Sequence, residues 1–328
     1  MSRLTERPAL VRLRERATMA GYRTGWHIVR RVPGPVAFRV FELMADVMWR
    51  RDGKGVQRMR RNYATVRPEL GPAAVDALVL AGVRSYLRYW CESFRLPDRS
   101  AEDLVLGVRV VGDEPVRDLL ASGRSAVIFL GHMGNWDLGG AWSTTQLAPV
   151  TTVAERLKPE ELFDEFVAFR ERLGMRIIPL TGGSDVFREL IIACRSGALV
   201  ALLADRDLTN GGIEVNLCGQ RARMAVGPAA LAVSTGAALY PCIIHYEPQP
   251  DGRGWRSVVT FHDAVAQPVA GTSREKIQVM TQACADVLTE GIRRHTQDWH
   301  MMQRVFTRDL AVGNVSGSQK SESSGPGS

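Results

Sequence analysis

The sequence predicts an α/β fold: a central, mostly parallel β-sheet flanked by helices, preceded by a helical N-terminal region. Three observations carry this. From residue 105 onward, short apolar runs alternate with longer segments of helical periodicity, the pattern of a sheet covered by helices. Residues 6–92 lack such runs and read as helical throughout. Residues 314–328, "NVSGSQKSESSGPGS", are too poor in apolar side chains to repay the cost of ordering and read as a disordered tail. With no internal repeat, residues 1–313 read as one domain, helical and basic over 1–100 and α/β over 101–313.

In chain order, "VPGPVAFRVFELMADVMWRR" starts a helix after its Pro-Gly-Pro break. Val36, Phe38, Val40, Phe41, Leu43, Met44, Val47, Met48 and Trp49 give it a broad apolar surface flanked by Arg30, Arg31, Arg50 and Arg51. Such a helix either lies in a bilayer interface or packs on its own domain. The next long helix, "PAAVDALVLAGVRSYLRYWCESFRL", reads as core, with Tyr86, Tyr89 and Trp90 near its end. Strands are expected in "LVLGVRVVG", "SAVIFLG", "PVTTVAE", "MRIIPL", "ALVALLAD", "AALYPCIIHY" and "WRSVVTFHDAV". Helices fill 134–147, 158–173, 184–196, 226–235 and 273–294. Asp113, Ser273 and the Gly227-Pro228 pair mark helix starts, by capping or by proline in the first turn.

Charge is uneven. Residues 1–61 hold fifteen Lys/Arg against five Asp/Glu, so the net +7 of the chain comes entirely from this end. A basic segment of this kind attracts anionic lipid or nucleic acid, or is merely solvated. The five cysteines show no CxxC or Cys/His spacing, which fits a reducing compartment and argues against structural zinc. No signal-peptide pattern opens the chain, and no run of about 18 apolar residues predicts a spanning helix. The expected location is cytosolic, at most clinging to a membrane face. G-x-S-x-G, Walker A and G-x-G-x-x-G stretches do not occur, which weakens serine-hydrolase, nucleotide-hydrolase and dinucleotide readings.

Chemistry concentrates in "SAVIFLGHMGNWDLGGAW", Ser125 to Trp142. In open α/β sheets, reactive groups collect past the C-terminal ends of strands, where His132 sits. His132 and Asp137 are five residues apart, about 140° on a regular helix, so they can meet only if the helix starts between them. Gly131 and Gly134 supply the backbone freedom for that turn. Two readings stand at this point: a structural turn with a satisfied histidine, or a general base with its orienting acid. Asp205 follows another apolar strand and falls on the same rim, either as part of the site or as a salt-bridge partner of Arg206. Arg221 and Arg223, ahead of "MAVGPAALAV", suit a phosphate or a solvated loop. Trp136 and Trp142 suit an acyl groove or the core. His245, His262, His295 and His300 have no evident partners.

"GHMGNWD" resembles the H-x4-D box of glycerolipid-type acyltransferases. Further blocks follow in order: "TTVAERLKPEELFDEFVAFRERLGMRIIPLTGG", "LLADRDLTNGGIEV", "RMAVGPAALAVSTGAALYP" and "HTQDWHMMQRVF". Over residues 20 to 306 the chain resembles phosphatidylinositol mannoside acyltransferases within the bacterial lipid A biosynthesis acyltransferase family. The resemblance implies a glycerolipid acyltransferase-like fold and transfer of a palmitoyl-type chain from acyl-CoA to a mannose hydroxyl. It implies His132 as base, Asp137 as its partner within the box, and Asp205 as a second acidic residue contacting the base. Arg170, Arg206 and Ser234 are read as substrate-binding positions. Relatives carry Glu at the position of Asp205 and an acidic residue at that of Ser234. The expected partners are acyl-CoA as co-substrate, a membrane glycolipid acceptor and an anionic membrane surface, with no nucleic acid, cofactor or metal. The location implied is peripheral, at the cytoplasmic face of the membrane. The alternatives are a lysophospholipid or other glycolipid acceptor, or a non-catalytic membrane-binding protein on the same scaffold.

Overall fold

The structure, a computed structural model, describes residues 25–310 except 27, 157–159, 181–183, 208–210, 251 and 253. The tail and the helical reading of residues 6–24 lie outside the described residues.

After helical residues at 25, 26 and 28–31, three helices follow: α1 (Gly34–Arg50), α2 (Lys54–Val66) and α3 (Pro72–Arg95). Pro35 and Pro72 sit in the first turns of α1 and α3, where a missing N–H breaks no helical bond. Helix α1 lies along α3. It buries Ala37, Phe41 and Ala45, and a two-pronged Arg84–Asp46 pair at 2.8 and 3.1 Å ties the two helices. Packing uses only that side. Val36, Val40, Leu43, Met44 and Val47 remain between 43% and 52% exposed, so α1 is both docked and apolar toward solvent.

The α/β part runs α4 (Ala101–Leu106), β1 (Val108–Val111), α5 (Glu114–Ala121), β2 (Ala126–Leu130), α6 (Trp136–Gln146), β3 (Val150–Glu155), α7 (Glu160–Arg172) and β4 (Arg176–Leu180). It continues through α8 (Ser184–Arg195), β5 (Leu199–Leu203), β6 (Ile213–Leu217), β7 (Gln220–Met224), α9 (Gly227–Thr235), β8 (Ala238–Pro248), β9 (Trp255–Phe261) and α10 (Ser273–Arg294). Seven strands form one sheet in the order β1-β9-β8-β2-β5-β3-β4. Neighbours from β8 to β4 are parallel, β9 is antiparallel to β8, and β1 is parallel to β9. The expected mostly parallel sheet is therefore present.

Strand β2 is central and buried at every position, which is why it reads as a continuous apolar run. Its alternate residues feed two cores. Val127 and Phe129 pack with Leu231, Leu288 and, from the N-terminal helices, Tyr63 and Val79. Ala126, Ile128 and Leu130 pack with Leu138, Phe166 and Phe169 on the other face. Both faces are covered, and the C-terminal ends of β2 and β5 are left as the rim where loops converge.

The seven expected strands are all found, with adjustments. Leu104–Leu106, read as the start of a strand, ends α4 instead. Ser100 accepts from the Asp103 N–H at 3.1 Å while the Asp103 carboxylate accepts back from Ser100, so the capping box claims the segment. Thr272, not Ser273, caps α10, in a reciprocal box with Glu275. Helix α5 begins after Asp113, whose carboxylate pairs with Arg117 rather than capping. The β6–β7 hairpin was not expected from the sequence. Its turn, Cys218-Gly219, has φ +54° and +81°, the paired left-handed residues of a two-residue hairpin turn.

Among the described residues, no helix is long and apolar enough to cross a membrane.

Candidate active site

The turn after β2 is shaped by Gly134. Its φ is +56°, and a Cβ there would lie 2.8 Å from the Ile244 carbonyl, so both the backbone and the space require glycine. The segment after α10 clamps the turn from outside. Gly134 N–H donates to the Asp298 carbonyl at 2.9 Å, His300 N–H donates to the His132 carbonyl at 2.8 Å, and Met133 bridges to Trp299. Helix α6 then starts at Trp136, with Asn135 accepting from the Leu138 N–H at 2.9 Å. Asn135 is oriented in turn by buried Glu92, which accepts from its amide at 2.7 Å and from the Tyr246 hydroxyl at 2.8 Å.

His132 does sit off the helix that carries Asp137, but the two do not pair. The carboxylate on His132 belongs to Asp205, with Nδ1 and Oδ1 2.5 Å apart. Asp205 is fully buried, and its Oδ2 accepts from the His132 backbone N–H at 2.9 Å and from the Trp299 indole N–H at 3.0 Å. The short Asp side chain reaches because the Ala204 N–H bonds the Leu130 carbonyl, which draws the two strand ends together. Burial pushes the Asp205 carboxyl up, but the charge and hydrogen bonds of His132, with the indole, outweigh it and leave the pKa below the ordinary carboxylate value. Asp205 therefore stays ionised and holds the Nδ1 proton, leaving Nε2 as the acceptor nitrogen.

Asp137 lies on the first turn of α6 and points to α3 and α7. Its carboxylate accepts from Arg170 Nε at 2.7 Å and Nη2 at 3.3 Å, and from the Tyr89 hydroxyl at 2.8 Å. Burial lowers the Arg170 pKa, yet the Asp137 charge and hydrogen bonds raise it further, so the guanidinium remains charged. Arg206 is not bonded to Asp205; it donates to Gln303 and, at 3.3 Å, to Glu155.

His132, Arg170 and Arg206 line one pocket of about 320 Å³, together with an aromatic wall that includes Tyr89, Trp90 and Trp136. A narrower, mostly apolar slot of about 80 Å³ adjoins it between α6 and the sheet, sharing Trp136, Arg170 and Leu203 and reaching Met175 and Ile244. Trp136 thus lines both spaces, whereas Trp142 is core.

Other expected positions fall elsewhere. Ser234 is exposed near the C-terminal end of α9, which leads into the start of β8; that start pairs with Ala126, the end of β2 farthest from His132. Ser234 therefore stands across the sheet from the pocket. Arg221 and Arg223 lie in strand β7, and Arg221 pairs with Glu214. Of the backbone N–H groups around Gly131–Asn135, the sequence's candidates for an oxyanion hole, those of His132, Met133 and Gly134 already donate to the Asp205 carboxylate and to the Gly131 and Asp298 carbonyls.

The sequence reading missed His300, which lines the pocket. Ser85 donates to Asp298 at 2.6 Å and lies 3.0 Å from His300 Nε2, so Nε2 carries the proton. Burial above all, with the Arg88 charge near it, lowers the His300 pKa to about 3. Its bare Nδ1 is buried and, among the described residues, has no hydrogen-bond partner. The "DWH" triplet was the available signal; its partner Ser85, on α3, was not.

A model of the bacterial lipid A biosynthesis acyltransferase family matches residues 6–308. The chain belongs to that family. It is an acyltransferase. Three relatives share one name, phosphatidylinositol mannoside acyltransferase. The protein from Mycolicibacterium smegmatis (strain ATCC 700084 / mc(2)155) is 39% identical over 295 residues, 90% of this chain and 93% of its own length. Those from Mycobacterium tuberculosis strains CDC 1551 / Oshkosh and ATCC 25618 / H37Rv are each 41% identical over 301 residues, 90% of either chain.

Proposed function

We propose that this acyltransferase moves a long-chain acyl group, palmitoyl, from acyl-CoA to a mannose hydroxyl of phosphatidylinositol mannosides. The names of its relatives support the acceptor class. The observation that carries the mechanism is His132, held by buried Asp205 with Nε2 left as acceptor on the wall of an aromatic pocket.

In this reading Nε2 takes the proton of the acceptor hydroxyl as its oxygen attacks the thioester carbonyl. The C–S bond breaks, the thiolate leaves, and the imidazolium returns the proton to sulfur. Asp205 stabilises the imidazolium, and the Arg170 charge, fixed by Asp137 and Tyr89, faces the developing oxyanion. Arg206 and the bare Nδ1 of His300 serve the acceptor's polar groups, while the apolar slot behind Trp136 receives part of the acyl chain. No metal or further cofactor enters this scheme.

We place the reaction at the cytoplasmic membrane face, with the exposed stripe of α1 in the bilayer interface and Arg39, Arg50 and Arg51 near anionic headgroups. One assay tests the chemistry: wild type and His132→Ala with palmitoyl-CoA and mannosylated phosphatidylinositol, products located by mass spectrometry. The variant should show no transfer above background; retained transfer overturns the mechanism. For the surface, Leu43→Gln/Val47→Gln should lower sedimentation with anionic vesicles, and unchanged sedimentation assigns that contact elsewhere.

A further inference from the structure

A second cavity, about 350 Å³, lies between the start of α1, helix α3 and the β8–β9 hairpin, and shares no residue with the pocket at His132. On α3 the two sites use opposite faces. Tyr86, Tyr89 and Trp90 line the catalytic pocket, and Arg84, Arg88 and Glu92 line this one, about half a helical turn away at ~100° per residue.

Its charges are not balanced. Arg84 is taken by Asp46. Glu42 accepts from Arg39, and Glu92 is occupied by Asn135 and Tyr246. Arg88 and Arg99 remain, and among the described residues neither guanidinium makes a hydrogen bond or ion pair. Arg88 is nevertheless fixed. Its guanidinium carbon lies 4.0 Å from the Trp255 ring centroid and 5.0 Å from that of Tyr246. Stacking engages the guanidinium face and leaves the in-plane N–H groups free, the edge that grips a phosphate in two-pronged fashion. The start of α1 adds to this. Gly34 lines the cavity, the first turn holds no acidic residue, and among the described residues no side chain caps it, so the positive end of the helix dipole meets no side-chain counter-charge there.

We propose that this cavity binds a phosphate group, mono- or diester, held by Arg88 and Arg99 at the N-terminal end of α1. Two sources supply that chemistry: a membrane lipid headgroup and a soluble phosphate. Phe38 and Phe41 on the cavity wall give a lipid an apolar surface beside its phosphate. The assignment is independent of the acceptor and mechanism proposed above.

Calorimetric titration of the full-length protein tests it, with two probes at constant ionic strength in chloride buffer: inorganic phosphate, and dihexanoyl phosphatidylinositol below its micelle concentration. Wild type should bind at least one probe saturably at a single site, and Arg88→Gln/Arg99→Gln should lose about tenfold or more in affinity. Binding of the lipid alone identifies a headgroup site; binding of inorganic phosphate identifies a site for soluble phosphate as well. Two results overturn the proposal: neither probe binds wild type, or the double variant binds as tightly. Should that variant fail to fold, Arg99→Gln alone replaces it, and undiminished affinity there is equally decisive.

Discussion

Replacing Asp205 by Asn isolates the part of the site that fixes the base. The side chain keeps its shape, but one oxygen becomes an NH₂ group. Two N–H donors, from the His132 backbone and the Trp299 indole, meet at Oδ2 at 2.9 and 3.0 Å. The amide oxygen must take that position, because the opposite flip sets NH₂ against both donors. The NH₂ then faces His132 Nδ1 across 2.5 Å and turns it into an acceptor. The ring proton moves to Nε2, the nitrogen that should receive the hydroxyl proton. Losing a positioned base costs about 10²–10⁴-fold in rate, and a wrong tautomer removes nearly all of that benefit. The expected fall in kcat is ~10³-fold or more, about 4 kcal/mol of barrier, with KM nearly unchanged. Steady-state acyl transfer gives the rates, and ¹⁵N-resolved NMR of the histidines gives the tautomer. A folded Asp205→Asn protein with kcat within tenfold of wild type, or with His132 still protonated at Nδ1, refutes the reasoning.

Arg170→Met leaves Asp137, 2% exposed, without its cation and should destabilise by about 3–5 kcal/mol; adding Asp137→Asn should recover much of this in thermal unfolding, and a loss below 1 kcal/mol denies the pair its structural role. His300 stays neutral in the fold to about pH 3, whereas its unfolded form protonates near 6.5. Stability should therefore fall as pH drops from about 6.5 toward 3, by up to a few kcal/mol. Asp298, raised to about 6 by burial, acts oppositely and costs stability as pH rises from about 4 to 6. His300→Gln should flatten or invert the acid limb in urea unfolding between pH 4 and 6.5, and an unchanged slope assigns that limb to other groups. A Cβ added at Gly140 meets Met175 Cε at 2.8 Å, so Gly140→Ala should narrow the apolar slot and shift preference toward shorter acyl-CoA chains. An unchanged chain-length profile would place the acyl chain elsewhere.

Much of this architecture was legible because burial writes itself into composition. Strand β2 is covered on both faces, so its five residues are all apolar and stand out. The β6–β7 hairpin went unread although Ile213–Leu217 alternates apolar and polar residues: both strands are only five residues long, the second carries Arg221 and Arg223, and the turn is Cys-Gly rather than Asn-Gly. The rim position of His132 and Asp205 followed from strand ends. The partnership of Asp137 did not, because closeness in sequence says little about side-chain direction across a glycine turn. Arg170 and Tyr89 reach Asp137 from two other helices, and Ser85, on the same helix as Tyr89, reaches His300. Such meetings depend on tertiary packing, which no local spacing encodes.

The clamp on the catalytic turn has a consequence for how the chain matures. His132, Gly134 and Asp205 are each bonded by the segment Asp298–His300, synthesised long after the strands it secures. A nascent chain that has completed its central strands still lacks the indole and the carbonyl that set the base. Closing so long a loop is entropically slow and comes late in folding. Activity therefore arrives as an all-or-none property of the nearly complete chain. A chain that ends before residue 298 holds its histidine but lacks both the indole and the carbonyl that aim it.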